Sequence, residues 1–537
     1  MPLESNPTRD VSANVAKNLL LTLATLWCIY WFVHAWHYWE DDAYIHLEFA
    51  RSLAAGQGFA FNGHVVAGDT APFWVFLLAG MHALIPNWLV GGKVLTVLGA
   101  AFGLTGIYAF ARRLASSWPD FPNATIFPAA IVLLIVVNPY SCYWLFSGME
   151  PIAAAGLACF AVLAATCEVP TTSTFLTGCI LAGIAPLVRP EMIFLSALVA
   201  LPLVGQFRRL SKPSAIKFVA GLILIAGPLT LWSIYSLHAF GHILPNTNAA
   251  KRANPEDSVV RHLLSIYSLG LPLIVGGLAG GIKYVVSRPS AALHSLRNSV
   301  TSAFAPPTPE RQPSRSLPLA GWIFILWPAI TWAFYVANHT YVQTRYILIT
   351  APGLTIVILA IAFAASRRAG RVLYVTALVV AAVVSLAIVR PFLFNKGINC
   401  DRTTDMALFI RSQLPPDAPV AMYSIGQIAF VSQHPIIDTG GITRPDALLY
   451  LTASPVSQAH WAQSQGAQYY IGVQPYPDAV AVFSTNLKFI GWTLKASRYN
   501  EAYPVTLWKL PPRPSSLPQT EPPPPHPMLD NKHPPFN

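Results

Sequence analysis

The stretch from Trp39 to Trp74, WEDDAYIHLEFARSLAAGQGFAFNGHVVAGDTAPFW, directly follows the first apolar segment of the chain. Its adjacent carboxylates, Asp41 and Asp42, are therefore expected at a membrane surface, where unpaired charge is costly and usually has a use. A simpler interpretation is that the aspartates only cap the helix that follows, since acidic residues favour a first turn. A cap needs one residue, whereas Glu40, Asp41 and Asp42 run together, so the pair is a candidate site.

The residues after the aspartates predict an amphipathic helix that lies in the membrane interface. Ile45, Phe49 and Leu53 recur at helical spacing, and polar residues separate them. Two of these polar residues, Glu48 and Arg51, are three positions apart and are expected to form a local ion pair. Glycines and an asparagine at positions 56–63 then break the chain into turns.

Composition places the chain among polytopic membrane proteins. Of its 537 residues, 54% are hydrophobic and 11% are charged, whereas soluble domains carry about 25% charged residues. The net charge of +11 is better explained by cytoplasmic loops rich in Lys and Arg than by a nucleic-acid partner. The six cysteines show no CxxC spacing, so neither a disulfide framework nor a zinc site is indicated.

Apolar runs of about 20 residues, the length that spans a bilayer, occur eleven times. They lie at residues 18–38, 91–111, 124–143, 150–167, 172–188, 191–207, 216–237, 263–286, 318–337, 346–365 and 372–392. A further run at residues 70–85 is short and ends before Pro86, so it is either a span or a helix that dips into the interface.

The distribution of Lys and Arg decides between these two interpretations. If residues 70–85 do not cross, sixteen basic residues lie in inside segments and seven in short outside loops, as the positive-inside rule requires. If they do cross, the bias inverts. We therefore predict a re-entrant or interfacial helix at 70–85, with the first loop, residues 39–90, on the outside.

This topology divides the chain into three parts. Residues 1–394 form a transmembrane domain, residues 395–510 a small extracytoplasmic α/β domain, and residues 511–537 a proline-rich disordered tail. A connector rich in Pro, Ser and Arg runs from Ser287 to Leu317 and is also expected to be disordered. In the α/β domain, the pattern predicts a helix at Asp401–Leu414 and strands at Pro419–Tyr423, Gln468–Val473, Phe489–Lys495 and Val505–Leu510.

The unusual polar clusters all fall on the outside face, which suits lipid-dependent sugar transfer. No nucleotides are supplied there, so the donor would be a membrane lipid that carries a sugar on a phosphate. Transfer needs a carboxylate to take the proton of the acceptor hydroxyl, and Asp41 or Asp42 suits this role. A cationic cluster must hold the donor phosphate; the candidates are Lys251, Arg252, Arg345 and Arg189. The candidate substrate-binding residues are His46, Glu150, Glu191, Asn246 and Tyr346.

Each candidate also has a structural alternative. Lys251 and Arg252 are equally suited to contact lipid headgroups, and Arg345, which closely follows an apolar span, to act as a membrane anchor. Arg189 and Glu191 flank a proline at a helix end, where pairing or solvation would explain them. No metal-ligand spacing is evident, although an aspartate pair is able to hold a divalent cation.

The quoted loop resembles the first outside loop of GT-C type glycosyltransferases that depend on polyprenyl-phosphate sugars. The likeness is strongest to the terminal arabinofuranosyltransferases of mycobacterial cell walls. Later segments agree in order, namely SGMEP, VRPE, GHILPNTNAAK, QTRYIL and YSIGQIAFVSQHPIIDTGG. The resemblance implies that Asp41 and Asp42 act as catalytic base and donor-site residues. This chain has AGDTAP where a pattern closer to EGTTSP is expected, so arabinose is not implied.

The leading hypothesis is an inverting hexosyl- or pentosyltransferase in the bacterial cytoplasmic membrane, with its active site and C-terminal domain facing the periplasm or exterior. It would take a polyprenyl-phosphate-linked sugar and modify an envelope glycan, lipid or protein. A transporter or flippase of a lipid-linked sugar is the main alternative, but the sequence shows no inverted repeat and no polar pairs at mid-membrane. A third hypothesis is a binding or assembly protein whose C-terminal domain recruits partners.

Overall fold

The computed structural model of the chain describes residues 7–118, 121, 123–210, 212–252, 317–389, 400–450, 455–472, 478–488 and 502–512. The predicted span at 263–286 and nearly all of the connector from Ser287 to Leu317 lie outside these residues. So does the predicted tail beyond residue 512.

The described part before residue 390 is almost entirely helical. Its helices are α1 (Pro7–His34), α2 (Asp41–Ala54), α3 (Pro72–Leu84), α4 (Trp88–Ser116), α5 (Phe127–Val137), α6 (Pro139–Trp144), α7 (Pro151–Ala165), α8 (Thr172–Val188), α9 (Ile193–Arg209), α10 (Ala215–Phe240), α11 (Asn246–Arg252), α12 (Leu319–Ala337), α13 (Thr344–Ala365) and α14 (Arg367–Val384). A short hairpin between α2 and α3 pairs β1 (Ala60–Phe61) with β2 (His64–Val65).

Each predicted span within the described residues coincides with an apolar helix, but the count of eleven spans is not confirmed. Seven helices of the described part are long and apolar enough to cross a membrane, and four apolar helices are shorter. The run predicted at 124–143 is divided at Asn138, whose side chain accepts the Tyr140 N–H while Pro139 begins α6. The dipeptide Asn138-Pro139 is a helix-breaking signal, but the apolar residues on both sides of it make the run look continuous.

The short run at 70–85 forms α3, which has 13 residues. At 1.5 Å per residue such a helix is about 20 Å long, less than the roughly 30 Å of a bilayer core. It packs against α2 and α4. Helices α5 and α7, which coincide with predicted spans, are similarly short, so the prediction that α3 does not cross stays a prediction, as does the sidedness of the chain.

Helix α2 has the predicted position but not the predicted surroundings. Nine of its residues are buried, among them the polar residues His46 and Glu48. Arg51 donates a hydrogen bond to the carbonyl oxygen of Phe430 at 3.1 Å, and Tyr44 packs against the Phe430 ring. The helix therefore does not present an open polar face at an interface, because the C-terminal domain covers it.

The C-terminal domain is an α/β unit, as the composition indicates. Its helices are α15 (Cys400–Gln413), α16 (Gly426–Ser432) and α17 (Pro455–Ser464), and its strands are β3 (Val420–Met422), β4 (Ile436–Asp438), β5 (Tyr469–Gly472), β6 (Val480–Lys488) and β7 (Ala502–Lys509). The strand order is β4-β3-β5-β7-β6, with β3 parallel to β4 and β5 and with β7 antiparallel to both of its neighbours. The predicted strand at Phe489–Lys495 lies outside the described residues.

The membrane helices and the C-terminal domain share one apolar core. A continuous cluster of buried side chains runs from Trp31 in α1 through Phe49 in α2 to Ile428 in α16 and Leu507 in β7. At the hairpin tip, Asn62 and Gly63 both have positive φ, the conformation that a two-residue hairpin turn demands. The Asn62 amide bonds with the His434 carbonyl at 2.9 Å and the Ile436 N–H at 2.8 Å. The first loop and the C-terminal domain are thus built against each other.

Candidate active site

A cavity of about 340 Å³ lies where the first loop, the ends of several membrane helices and the C-terminal domain meet. Among the predicted site residues, those that line it are Asp41, Asp42, His46, Arg189, Lys251, Arg345 and Tyr346. Residues separated by some 300 positions in sequence therefore share one space.

Asp41 points from the N-terminus of α2 towards the C-terminal domain. Its Oδ2 accepts the N–H of Gly426 at 3.2 Å, and its Oδ1 accepts the N–H of Gln427 at 2.9 Å. Burial raises the pKa of Asp41 to about 7, while the Gln427 N–H acts in the opposite direction. Glu40, the residue before α2, forms no side-chain capping bond with that helix, and the carboxylate of Asp41 accepts the first N–H groups of α16.

Asp42 faces the other way and pairs with Arg345. Nη2 of Arg345 donates to Oδ2 of Asp42. Burial alone would raise the pKa of Asp42, but the Arg345 guanidinium outweighs it and the pKa is lowered. Nε and Nη1 of Arg345 are buried and have no hydrogen-bond partner among the described residues. Arg345 therefore keeps donors for a further group in the cavity.

Three cationic side chains surround the Tyr346 ring, and we call Arg189, Lys251 and Arg345 the cation cluster. Their charged ends lie 4.8 Å, 4.6 Å and 5.2 Å from the centre of that ring. Cations over an aromatic face are attracted by its quadrupole, but three like charges at one ring also repel each other. An anionic ligand in the cavity would relieve this repulsion.

A buried chain of charged groups runs from the cavity wall, where His46, Asp69 and Arg189 lie, to two glutamates behind it. His46 Nδ1 lies 2.5 Å from Asp69 Oδ2, and its Nε2 lies 3.5 Å from Glu150 Oε2. Arg189 Nε lies 3.1 Å from Glu150 Oε1 and 3.5 Å from Glu191 Oε1. The contacts of Glu150 and Arg189 are close but not aligned as hydrogen bonds, so charge attraction dominates them.

Burial and pairing set the protonation of this chain. Burial by itself lowers the pKa of His46, but Asp69 and Glu150 outweigh it and raise the pKa to about 10. Burial likewise favours neutral Glu150, but Arg189 and His46 lower its pKa to about 2. His46 is therefore a cation and Glu150 an anion at neutral pH, and together they fix the position of Arg189 in the cation cluster.

Trp39, which lines the cavity, occupies a slot made by two glycines. A Cβ at Gly92 or Gly148 would lie within 2.7 Å of the Trp39 ring, and Gly148 also has a φ of +91°. The ammonium of Lys93 lies 4.7 Å from the centre of the same ring. It donates to the carbonyl oxygens of Ala35, Tyr38 and Phe146. The SGMEP segment thus has two parts in the site. Its Gly148 leaves the space that the Trp39 ring occupies, and it supplies Glu150.

Four predicted site residues do not line the cavity. Glu150 and Glu191 are buried behind it and pair with Arg189. Asn246 is buried, and its backbone N–H donates to the Ala67 carbonyl. Arg252 is exposed, although the neighbouring Lys251 reaches the cavity. Their predicted contacts with substrate therefore stay predictions. Glu48 and Arg51 form the expected local ion pair.

Several lining residues were not predicted. Asp69 lies inside the quoted loop, in the AGDTAP segment, and its Oδ1 also accepts the Ala71 N–H at 2.6 Å. The C-terminal domain adds Tyr423, Ser424, Gln427 and Gly440. These four residues lie in the segment YSIGQIAFVSQHPIIDTGG, which is part of the family resemblance. That resemblance is the sequence signal by which they could have been found.

The described residues contain no group of three or more His, Cys, Asp or Glu side chains able to hold a metal ion. One oxygen of Asp42 is engaged by Arg345, and both oxygens of Asp41 accept backbone N–H groups. The divalent cation that an aspartate pair allows stays a prediction.

Comparison with known proteins shows the fold. ArnT from Cupriavidus metallidurans in its apo state aligns over 92% of this chain and 98% of its own, with 15% identity and a TM-score of 0.53. ArnT bound to undecaprenyl phosphate aligns over 91% and 98%, with 13% identity and a TM-score of 0.52. AglB from Archaeoglobus fulgidus, in complex with an inhibitory peptide and a dolichol-phosphate, aligns over 85% and 69%, with 11% identity and a TM-score of 0.49.

The first two likenesses show that this chain shares its helical fold with ArnT, a structural neighbour of the GT-C type. The closer likeness to mycobacterial arabinofuranosyltransferases is not confirmed. Residues 396–510 match a family model described as a domain of unknown function (DUF8728). A comparison with the sequences of curated proteins finds no match.

Proposed function

We propose that this protein is an inverting glycosyltransferase of the bacterial cytoplasmic membrane, with its cavity on the outer face. It moves a hexosyl or pentosyl group from a polyprenyl-phosphate donor to an acceptor of the cell envelope. The observation that carries the proposal is the cavity itself, in which a carboxylate suited to proton transfer lies next to the cation cluster. The similar fold of ArnT, bound to undecaprenyl phosphate, supports the donor class.

The cation cluster suits the phosphate of such a donor. Arg345 offers Nε and Nη1, which have no partner in the described part of the chain, and a planar guanidinium matches phosphate geometry. Lys251 and Arg189 add charge on the same side. Charge-assisted hydrogen bonds of this kind are the strong ones, and they also stabilise the phosphate as it gains charge on leaving.

The chemical step then follows from the positions of the two aspartates. The acceptor oxygen attacks C1 of the donor sugar while the bond from C1 to the phosphate oxygen breaks. The polyprenyl phosphate leaves with the bonding electron pair, and the acceptor proton passes to Asp41. Asp42, held by Arg345, orients the guanidinium towards the phosphate. Attack from the face opposite the leaving group inverts the configuration at C1.

Two measurements test this function. Native mass spectrometry of the purified chain should show bound undecaprenyl phosphate, and Arg345→Met should abolish that binding. Envelope glycans from a strain without the protein and from a strain with Asp41→Asn should lack the same sugar linkage. A transporter needs no proton acceptor, so a wild-type glycan profile in the Asp41→Asn strain would contradict the enzyme. A normal profile in both strains would also exclude the transporter.

A further inference from the structure

The described residues of the C-terminal domain contribute an uncharged wall to the cavity. Its members are apolar, aromatic, hydroxyl or amide residues, namely Met422, Tyr423, Ser424, Gln427, Gly440 and Thr485 together with six aliphatic or thioether side chains. All the charged lining residues in the described part of the chain come before α14. The cavity thus has a charged wall from the membrane domain and a neutral wall from the C-terminal domain.

The neutral wall lies where an α/β fold normally binds a ligand. In open parallel sheets, ligands bind outside the carboxyl ends of the strands. Tyr423 and Ser424 follow β3, Gly440 follows β4, and Ile471 lies in β5. These three strands are parallel neighbours, so their carboxyl ends share the edge of the sheet that faces the cavity.

The anion-binding position at this edge is already filled by the protein. The free N–H groups at a helix N-terminus favour an anion, and at α16 they hold the Asp41 carboxylate. A second anion beside Asp41 would be repelled, and the described residues of the wall offer it no cation. An acidic ligand is therefore disfavoured on this side of the cavity.

The remaining groups of the wall suit a sugar. Tyr423 is 57% exposed and lines the cavity, so its ring is accessible to the C–H face of a pyranose or furanose. Ser424, also exposed, and Thr485 bring hydroxyl groups to the same wall. A few polar groups on an otherwise apolar and aromatic surface are typical of small-ligand sites.

We infer that this wall is the acceptor subsite and that the acceptor is the end of a neutral, polyhydroxylated glycan. The inference rests on the proposed function, because inversion requires the acceptor to approach from the side away from the leaving phosphate. In the proposed function the cation cluster binds that phosphate. The acceptor must therefore lie against the wall that the C-terminal domain contributes. Asp41 joins the two sides, since it lines the cavity and is anchored on α16.

Photo-crosslinking in living cells tests this assignment on the full chain. The variant Tyr423→p-benzoylphenylalanine should capture material that stains with periodate reagents and yields neutral sugars on hydrolysis. Leu408→p-benzoylphenylalanine is the matched control, because Leu408 is 47% exposed on α15 but does not line the cavity. Capture of a polypeptide, of an acidic glycan or of lipid alone at position 423, or capture no greater than at position 408, would overturn the inference.

A third variant separates this inference from the proposed function. Gln343 lines the membrane-domain wall two residues before Arg345, so Gln343→p-benzoylphenylalanine should capture a polyprenyl lipid. If position 343 captures the lipid and position 423 captures no neutral glycan, the acceptor subsite is wrong while the donor site stands. If position 343 captures no polyprenyl lipid, the proposed function is itself contradicted. In transfer assays with the captured glycan as acceptor, Tyr423→Ala should raise the acceptor KM about tenfold, as expected for one lost aromatic contact.

Discussion

The substitution Gly426→Ala tests whether the C-terminal domain sets the position of Asp41. A Cβ at residue 426 would lie 2.0 Å from the carbonyl oxygen of Asp41 and 3.1 Å from its Cγ. Ordinary van der Waals contact begins at 3.4 Å, so the two segments must separate by about 1.4 Å. Gly426 has no positive φ, and alanine is the better helix former by about 1 kcal/mol. The substitution therefore disturbs the contact with Asp41 without weakening α16.

A separation of this size should cost much of the activity. Two hydrogen bonds to the charged carboxylate would be stretched or lost, each worth about 1.5–3 kcal/mol. Misplacing a reacting group by about 1 Å costs roughly 10²-fold in rate. We expect sugar transfer from a polyprenyl-phosphate donor to fall about 100-fold, while binding of undecaprenyl phosphate stays within about twofold of wild type.

The matched control is Gly80→Ala. Gly80 is an exposed glycine of α3, and a Cβ there meets no atom within 4 Å. This variant should transfer sugar at the wild-type rate. Equal rates for Gly426→Ala and wild type would refute the reasoning, because they would mean that catalysis does not depend on the contact between Asp41 and α16. Loss of both transfer and lipid binding would indicate a general folding defect instead.

Three further predictions follow from the charges of the site. The transfer rate should rise with pH up to about 7 and then level off, because burial raises the pKa of Asp41 to about 7 and the base must first lose its proton. Asp41→Asn should lower the rate by about 10²- to 10⁴-fold and remove this pH dependence. Arg345→Lys should weaken undecaprenyl-phosphate binding about tenfold or more, since a lost charge-assisted bond is worth about 1.5–3 kcal/mol, and Arg252→Lys, at an exposed position outside the cavity, should leave it unchanged. Asp69 and Glu150 raise the pKa of His46 in the folded protein to about 10, above an unfolded value of about 6.5. The stabilisation from these partners is therefore complete below about pH 6.5 and is lost as the pH rises through 10. The Tm of the wild-type protein should fall over this range, and an equal fall in His46→Gln would contradict the pairing.

The sequence predicted those features that depend on nearby residues. Hydrophobic run length located the described spans, and the helical spacing of Ile45, Phe49 and Leu53 located α2. The tight turn at Asn62 and Gly63 was also expected, because few residues other than glycine and asparagine adopt positive φ readily.

The sequence could not predict contacts between distant segments. Residues near Phe430, some 380 positions later in the sequence, pack over α2. Hydrophobic periodicity carries no information about which distant segments pack together. For the same reason Asp69 was overlooked, because nothing in AGDTAP indicates that its carboxylate would meet His46. Nor could the sequence tell that Lys251 lines the cavity while Arg252 is exposed, since neighbouring residues on a helix point in different directions.

The same geometry explains how two adjacent aspartates acquire different roles. Successive residues of a helix are separated by about 100°, so Asp41 and Asp42 cannot point to the same partner. One meets the backbone N–H groups of α16 and the other meets Arg345. Burial raises the pKa of Asp41, whereas the Arg345 guanidinium outweighs burial and lowers that of Asp42. Paired carboxylates whose environments separate their pKa values divide acid and base work between them. In the proposed function we therefore assign the base role to Asp41, whose proton affinity is the higher of the two, and Asp42 serves the phosphate side through Arg345.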